Sequence, residues 1–226
     1  MRITKHSKQE PTLEEEMALL AQGYSFIAGL DEAGRGCLAG PVVAAAVILP
    51  LGEDCATLFA GTRDSKQLTA LERSRLYEII MQHALAVGIG VGAVELIDEC
   101  NILQATKIAM RSALARLSPP PQALLLDALL LPDVPLLQRP IIHGDALCLS
   151  IAAASVIAKV TRDRMMCQLH EQYPDYGFAQ HKGYGTEAHL AALREHGATP
   201  VHRRSFAPVR ELFGLFNSAD NESAQS

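Results

Sequence analysis

Apolar runs bounded by glycine, proline and polar residues predict five strands in this chain. The run PVVAAAVIL, for example, lies between Gly40-Pro41 and Pro50, a setting typical of a buried strand. The glycines in the run ALAVGIGVGAV indicate a close approach of another backbone or a bulge. We expect strands at residues 25–31, 41–49, 84–94 and 123–127, and a short fifth strand at 140–143.

Helical spacing of apolar residues predicts the remaining elements. A helix is expected at 69–82 with Thr69 as its N-cap, and its apolar face holds Leu71, Leu76, Ile79 and Ile80. A long helix at 146–172 packs through its alanines, and residues 95–117 form one helix or two. Shorter helices are expected at 13–22 and 186–196, and a loop is expected at 177–185.

The order of these elements predicts the architecture. Early strands follow one another without helices, and later strands alternate with helices, which favours a mixed sheet covered by helices. The preferred arrangement has three antiparallel strands followed by parallel additions. The fold class is therefore α/β.

Composition and charge narrow the class of protein. The chain has 226 residues, of which 49% are hydrophobic and 20% charged, so it is globular rather than disordered. Its net charge of −5 argues against a surface that binds nucleic acid everywhere. Residues 159–210, however, carry eight Lys or Arg against five Asp or Glu, which places any polyanion-binding surface in the last third.

Targeting and redox features are those of a cytoplasmic protein. No apolar run reaches the length of a membrane span, and the N-terminus lacks the apolar core of a secretory signal. The five cysteines show no CxxC spacing, so we expect reduced thiols rather than a disulfide framework or a zinc site.

Carboxylates end three of the apolar segments. Asp31 and Glu32 end the first, Asp127 ends the fourth, and Asp145 lies where the fifth passes into the long helix. Adjacent strand residues face opposite sides, so one of the first pair turns away unless the strand ends there. If the strands are neighbours, four carboxylates meet at one edge, where Mg²⁺ ions would offset their repulsion and two such ions can cleave a phosphodiester. The alternatives are a solvated acidic pair, a turn residue at Asp127 and a helix N-cap at Asp145.

Several motifs in order resemble the bacterial type 2 ribonuclease H family, ribonuclease HII. They are DEAGRG, GPVVAAAVIL, DSKQL, LLLDAL, GDALCLSIAAASVIAKVTRD, HKGYGT and HRRSFAPV, and they span about residues 24–210. The resemblance implies a ribonuclease H-like fold, a five-stranded mixed sheet flanked by helices with a helical C-terminal segment. We divide the chain into an N-terminal extension with a short helix at 1–22, a catalytic domain at 23–216 and a tail at 217–226, whose polar composition predicts disorder.

The resemblance also implies an activity and its residues. The activity is cleavage of the RNA strand of RNA–DNA hybrids, and incision of duplex DNA 5′ to an embedded ribonucleotide. The mechanism is two-metal hydrolysis with Mn²⁺ or Mg²⁺, which leaves 3′-OH and 5′-phosphate ends. Catalysis and metal binding fall to Asp31, Glu32, Asp127 and Asp145. Substrate binding falls to Gly34, Arg35 and Gly36, which read the ribose 2′-OH, to Tyr184, which packs on the neighbouring sugar, and to Lys66 near a phosphate.

Further polar residues keep two interpretations each. Lys159, one turn after Ser155, reaches a phosphate or extends from an alanine-rich face to solvent. His181 and Lys182 are phosphate contacts or ordinary loop polarity. At Arg203 and Arg204 a patch that binds the nucleic-acid backbone is favoured over a solvated pair, and at His143 a local hydrogen-bonding role is favoured over metal ligation.

Two other function classes remain open from the sequence. One is a non-catalytic hybrid-binding module, which loss of a carboxylate would favour. The other is a different nuclease of the wider fold, such as a resolvase or integrase-like enzyme, which need not pair a GRG turn with a downstream tyrosine. Segment 211–216, ELFGLF, weakly resembles peptides that dock on sliding clamps, and packing on the core is the alternative. We expect a monomer.

Overall fold

A computed structural model describes residues 10–211 and shows a five-stranded sheet between two layers of helices. The strands are β1 (Ile27–Ala33), β2 (Val42–Ile48), β3 (Ala86–Gly92), β4 (Ala123–Asp127) and β5 (Leu137–Ile141). The helices are α1 (Glu14–Leu20), α2 (Cys55–Leu58), α3 (Ala70–His83), α4 (Val94–Leu114), α5 (Gly144–Leu147), α6 (Leu149–Gln172), α7 (Phe178–His181) and α8 (Glu187–His196). Residues 1–9 and 212–226 lie outside this description, and with them the predicted tail and most of segment 211–216.

The sheet has the strand order β3-β2-β1-β4-β5. Strand β2 pairs antiparallel with both β1 and β3, whereas β4 pairs parallel with β1 and with β5. The predicted α/β fold, with three antiparallel strands followed by parallel additions, is confirmed. Because β1, β4 and β5 run in the same direction, their carboxyl ends meet at one edge of the sheet.

Alternate residues of the strands pack on opposite helical layers. In β2, Ala45 and Val47 contact the core formed with α3 and α6, whereas Ala44 and Ala46 contact the core formed with α4. This period of two is the ordinary geometry of a strand buried on both faces. It explains why every residue of β2 is buried.

Close backbone contact explains the glycines of β3. A Cβ added at Gly90 would lie 1.9 Å from the carbonyl oxygen of Ala109 in α4. The glycine therefore allows the helix to lie directly on the strand, as the sequence predicts.

Helix α3 begins at the predicted N-cap. The Thr69 hydroxyl accepts a hydrogen bond from the Glu72 amide, and the Glu72 carboxylate accepts one from the Thr69 amide, which forms a capping box. Its predicted apolar face is only partly right. Leu76 and Ile80 are buried, but Leu71 is 82% exposed, because the five residues from Leu71 to Leu76 separate the two side chains by about 140° around the helix.

The chain between β4 and α6 differs from the prediction in three respects. Strand β5 spans Leu137–Ile141 rather than 140–143. The predicted long helix is broken at Cys148, whose backbone is extended, so that Asp145 lies in the first turn of the separate helix α5 and is not an N-cap. The break is stabilised from outside, because Thr12 donates to the carbonyl of Leu147 and accepts from the amide of Leu149.

Two smaller observations complete the fold. The predicted loop at 177–185 contains the single-turn helix α7. Among residues 10–211, none of the helices is both long and apolar enough to span a membrane.

Candidate active site

Topology brings the predicted carboxylates to one edge of the sheet. Asp31 lies in β1 and Asp127 is the last residue of the adjacent parallel strand β4, whose Leu126 pairs with Leu30. The same alternation that places Ile27 and Leu125 in one core cluster with Ile151 of α6 directs both aspartates toward the α6 face. Helix α5 then carries Asp145 to this edge, where the Gly144 amide donates to Asp127 Oδ1 over 2.9 Å.

Asp31 and Glu32 both reach the site although they are adjacent in a strand. The sequence predicts that the strand ends at Asp31, but β1 continues to Ala33. Both carboxylates nevertheless line one cavity of about 350 Å³. At this end of the strand the Glu32 amide donates to Asp31 Oδ1 over 2.7 Å.

The same cavity contains the predicted substrate-binding residues. Its lining comprises residues 31–36, Ser65, Lys66, Asp127, Ser155, Lys159 and Tyr184. Asp145 lies just outside this lining and is linked to it by Lys66, whose ammonium nitrogen is 3.3 Å from Asp145 Oδ2.

Burial, and next the charges nearby, change the pKa of several groups at this edge. The pKa of Asp31 is raised well above its usual value by burial, and next by the charge of Glu32. Burial also raises the pKa of Glu32 and of Asp145, and Asp64 adds to the latter shift. Burial alone would lower the pKa of Lys66, but the charges of Asp64, Asp145 and Asp31 outweigh it and raise that pKa. The site therefore favours additional positive charge.

The chemistry of these donors fits a hard divalent cation. Glu32 Oε2 is a buried carboxylate oxygen with no hydrogen-bond partner, and the four predicted ligands offer only oxygen, as Mg²⁺ and Mn²⁺ prefer. Within residues 10–211, however, no three Asp, Glu, His or Cys side chains form a group ready to hold a metal ion. The carboxylates thus share one edge without forming a closed set of ligands.

Two buried arginines, Arg162 and Arg203, contact the turn formed by residues 34–36 from the protein interior. Gly34 has φ of +95°, and a Cβ there would lie 2.0 Å from Arg162 Nε. Arg203 donates to the carbonyls of Gly34 and Arg35 over 2.7 and 2.9 Å. On the solvent side, Arg35 pairs with Glu32 over 3.1 Å. The turn therefore combines a rigid backbone with an exposed face.

The prediction that Arg203 forms a backbone-binding patch with Arg204 is wrong. Arg203 is fully buried and also donates twice to the Gly40 carbonyl, so it does not belong to a phosphate-binding patch, whereas its neighbour Arg204 is exposed. Arg162, which the sequence interpretation overlooked, donates to the carbonyls of Ala39, Pro41 and Lys182. Its place on an alanine-rich helix face was the available signal, since a cation there needs buried partners.

Tyr184 also lines the cavity. The residue is 43% exposed, and Lys159 Nζ lies 5.8 Å from the ring centroid. Burial, and next the neighbouring Cys37 thiol, raise the pKa of Tyr184. An aromatic side chain is thus available in the cavity that contains the Gly34–Gly36 turn.

The remaining polar candidates from the sequence lie either in the cavity or away from it. Ser155 and Lys159 line the cavity, but each has a local partner, Ser65 Oγ at 2.8 Å and Asp163 at 2.7 Å respectively. By contrast, His181 serves its own loop, with Nε2 2.6 Å from the Tyr176 carbonyl, and Lys182 donates to the Ala179 carbonyl. The side chain of His143 is exposed, and its φ of 58° places it in the left-handed region before α5.

Comparisons with known proteins agree with the motifs. The family model described as Ribonuclease HII matches residues 28–209. The ribonuclease HII of Chloroflexus aggregans is 51% identical over 210 residues, which cover 92% of this chain and 99% of the relative. That of Bacillus cereus strain G9842 is 54% identical over 197 residues, which cover 87% of this chain and 75% of the relative.

Solved structures with the same fold include related ribonucleases H. Ribonuclease H2 from Pyrococcus horikoshii OT3 has a TM-score of 0.69 at 27% identity, covering 85% of this chain and 99% of that one. The PCNA:RNase HII complex from Archaeoglobus fulgidus gives 0.67 at 27% identity, covering 80% and 95%. Bst-RNase HIII in complex with Mn²⁺ gives 0.63 at 21% identity, covering 84% and 70%, and shows the fold alone.

Proposed function

The chain belongs to the ribonuclease HII family of metal-dependent endonucleases that act on RNA–DNA hybrids, and we propose that it also incises duplex DNA 5′ to an embedded ribonucleotide. The observation that carries this proposal is the shared cavity, which is lined by carboxylates, a glycine turn and an aromatic residue. In this proposal a single ribose binds at the turn and the aromatic ring, and its phosphate lies at the carboxylates.

In this proposal the metal ligands are Asp31, Glu32, Asp127 and Asp145. Two Mg²⁺ or Mn²⁺ ions bound there would activate water and stabilise the leaving oxygen, which gives 3′-OH and 5′-phosphate ends. Lys66 keeps Asp145 oriented through its 3.3 Å ion pair, and its largely exposed ammonium group is available to a phosphate.

Recognition of the ribose is assigned to the turn and the tyrosine. Backbone groups at Gly34 and Gly36 approach the 2′-OH closely because no side chain intervenes. The Tyr184 ring packs on the adjoining sugar. Deoxyribose is disfavoured because it leaves the polar groups of the turn without a partner.

The proposal is tested by mapping cleavage of a DNA duplex that contains one ribonucleotide, with an all-DNA duplex as control. We expect one Mg²⁺- or Mn²⁺-dependent cut on the 5′ side of the ribonucleotide, and none in the control. Cleavage of long hybrids with no cut at the single ribonucleotide would reject the finer specificity and leave the family activity intact.

Tyr184 is tested by the ratio of activities on the two substrates. Tyr184→Phe keeps the ring and should retain the ratio, whereas Tyr184→Ala should lower single-ribonucleotide cleavage more than hybrid cleavage, because a long hybrid offers other registers. Equal slowing of both substrates would contradict the role of Tyr184.

Cellular context completes the proposal. We place the protein in the cytoplasm as a monomer, with segment 211–216 as the candidate for docking on a sliding clamp, as the complex of the Archaeoglobus relative suggests. Pull-down with the clamp, with and without residues 211–226, tests the docking. Equal retention of both forms would contradict it.

A further inference from the structure

Behind Tyr184, the C-terminal helices enclose a small core that contains three histidines in contact. His189 and His202 are fully buried, and His181 stacks on His189 with ring centroids 4.5 Å apart. The ring of Phe178 contacts all three. Since buried ring nitrogens need hydrogen-bond partners, the neighbours of each imidazole indicate where its proton lies.

The proton positions of the two buried rings follow from backbone groups. The Thr199 amide can only donate, and it lies 3.0 Å from His202 Nδ1, so that nitrogen accepts and the proton is on Nε2. The Tyr184 carbonyl can only accept, and it lies 2.9 Å from His189 Nδ1, so that nitrogen carries the proton. His189 Nε2 is then an acceptor for His202 Nε2–H at 3.1 Å.

These contacts form a chain with one direction, from Thr199 through His202 and His189 to the Tyr184 carbonyl. Protonation of His189 would place two N–H groups against each other across the 3.1 Å contact, and protonation of His202 would place its Nδ1–H against the Thr199 amide over 3.0 Å. Burial in this core lowers the pKa of His189 to about 4 and that of His202 to about 3, which keeps both rings neutral. The direction of the chain is therefore fixed at neutral pH.

The chain ends on the residue that faces the cavity. The Tyr184 carbonyl also accepts from the Thr186 amide over 2.8 Å, and the Tyr184 amide donates to the His181 carbonyl over 3.0 Å. Adjacent to it, the Gly183 amide donates to His181 Nδ1 over 3.1 Å. Histidines thus hold the tyrosine backbone on both sides while its ring stays open to the cavity.

We propose that His189 and His202 are positioning residues that hold Tyr184 at the ribonucleotide site through this directed hydrogen-bond chain. The inference rests on the proposed function, in which Tyr184 packs on a sugar. Without the chain, the Tyr184 loop occupies other positions, and selection of a single ribonucleotide suffers more than cleavage of long hybrids.

A first experiment needs no substrate. Nitrogen NMR of the histidine rings should show the Nδ1–H form for His189 and the Nε2–H form for His202. Hydrogen exchange at the Tyr184 and Thr186 amides should then speed up in His189→Leu but not in Tyr176→Phe. The control removes a hydroxyl that donates to Gly197 in the same core over 2.7 Å, without touching the chain. Opposite tautomers, or unchanged exchange in His189→Leu, would overturn the inference.

A second experiment measures kcat/KM on a duplex with one ribonucleotide and on a long hybrid. His189→Leu should lower the ratio of the two about tenfold, the effect of one lost buried hydrogen bond. His189→Asn, which retains a donor near the Nδ1 position, should recover most of it. Tyr176→Phe should keep the ratio despite a comparable loss of stability.

A double-variant cycle separates positioning from general damage. In a Tyr184→Ala background, His189→Leu should lower the ratio no further, because the ring it positions is already absent. If Tyr184→Ala lowers the ratio and His189→Leu does not, the inference fails and the proposed function stands. If Tyr184→Ala leaves the ratio unchanged, the proposed reading of ribose fails and the inference fails with it. If the leucine variant does not fold, His189→Gln takes its place, because it keeps a polar group near Nε2 but lacks the donor near Nδ1, and its ratio should fall in the same way.

Discussion

Replacing Arg203 by methionine tests whether the glycine turn depends on a buried cation. The side chain of Arg203 donates to the carbonyls of Gly34, Arg35 and Gly40 and is fully buried. Methionine retains the apolar volume but leaves these acceptors without that donor. We therefore expect both the stability of the fold and the position of the turn to suffer.

The expected loss in free energy of unfolding is the difference between two opposing effects of the substitution. Leaving three buried acceptors without a charged donor, at about 2 kcal/mol each, costs about 6 kcal/mol. Burial, and next the charge of Arg162, lower the pKa of Arg203 to about 10. At about 1.4 kcal/mol per pKa unit, removal of that poorly solvated guanidinium returns about 3 kcal/mol. The net loss in free energy of unfolding is about 3 kcal/mol, or a melting temperature lower by about 6–12 °C.

Urea unfolding followed by circular dichroism measures this loss, and Mg²⁺-dependent hybrid cleavage of the folded fraction reports on the turn. Arg210→Met removes a guanidinium from an exposed position and should change stability by no more than about 0.5 kcal/mol. A loss below about 1 kcal/mol in Arg203→Met, or full activity in its folded fraction, would refute the reasoning.

The remaining predictions concern the acidic edge, the buried histidines and the N-terminal helix. Asp31→Asn removes a buried carboxylate that its neighbours repel, so the melting temperature of the variant in metal-free buffer should rise. Its activity should drop by orders of magnitude, and Mn²⁺ should stabilise it less than the parent protein. An unchanged stabilisation by Mn²⁺ would contradict the role of Asp31 as a ligand. The folded-state pKa values of His189 and His202 are about 4 and about 3, below the unfolded value. Their contribution to stability is therefore complete above about pH 6.5 and is lost as pH falls, by about 2 kcal/mol per histidine at pH 5. Urea unfolding at pH 5 and above pH 6.5 should show a smaller loss of stability between the two in His202→Phe than in the parent protein, and an equal loss would count against the assignment. Glu16 is fully buried and accepts from the Ser150 amide over 2.8 Å and from the Cys148 thiol, so Glu16→Ala should cost about 2–3 kcal/mol in urea unfolding, and Glu16→Gln less.

Local patterns in the sequence were sufficient for most of the helices and strands. Hydrophobic patterns with a period of two or of 3.6 residues involve only residues close together in the chain. Strand β2 and helix α3 could therefore be predicted within a few residues of their observed bounds. Asp31 and Asp127 end apolar segments, so the sequence predicted that they would meet if the two strands were neighbours. The parallel pairing of β1 with β4 fulfils that condition. The proposed roles of the Gly34–Gly36 turn and of Tyr184 were assigned from the family motifs rather than from periodicity.

Local patterns could not predict hydrogen bonds between residues that are far apart in the chain. Arg203 looked like one of two basic residues in a phosphate patch, since nothing near it in sequence indicates acceptors more than 160 residues away at Gly34, Arg35 and Gly40. The break at Cys148 depends in the same way on Thr12, and the histidine chain depends on Thr199 and Tyr184. Hydrophobic periodicity records which face of an element is buried, whereas the hydrogen bonds of a buried polar group depend on which distant backbone passes it, and only the assembled tertiary structure decides that.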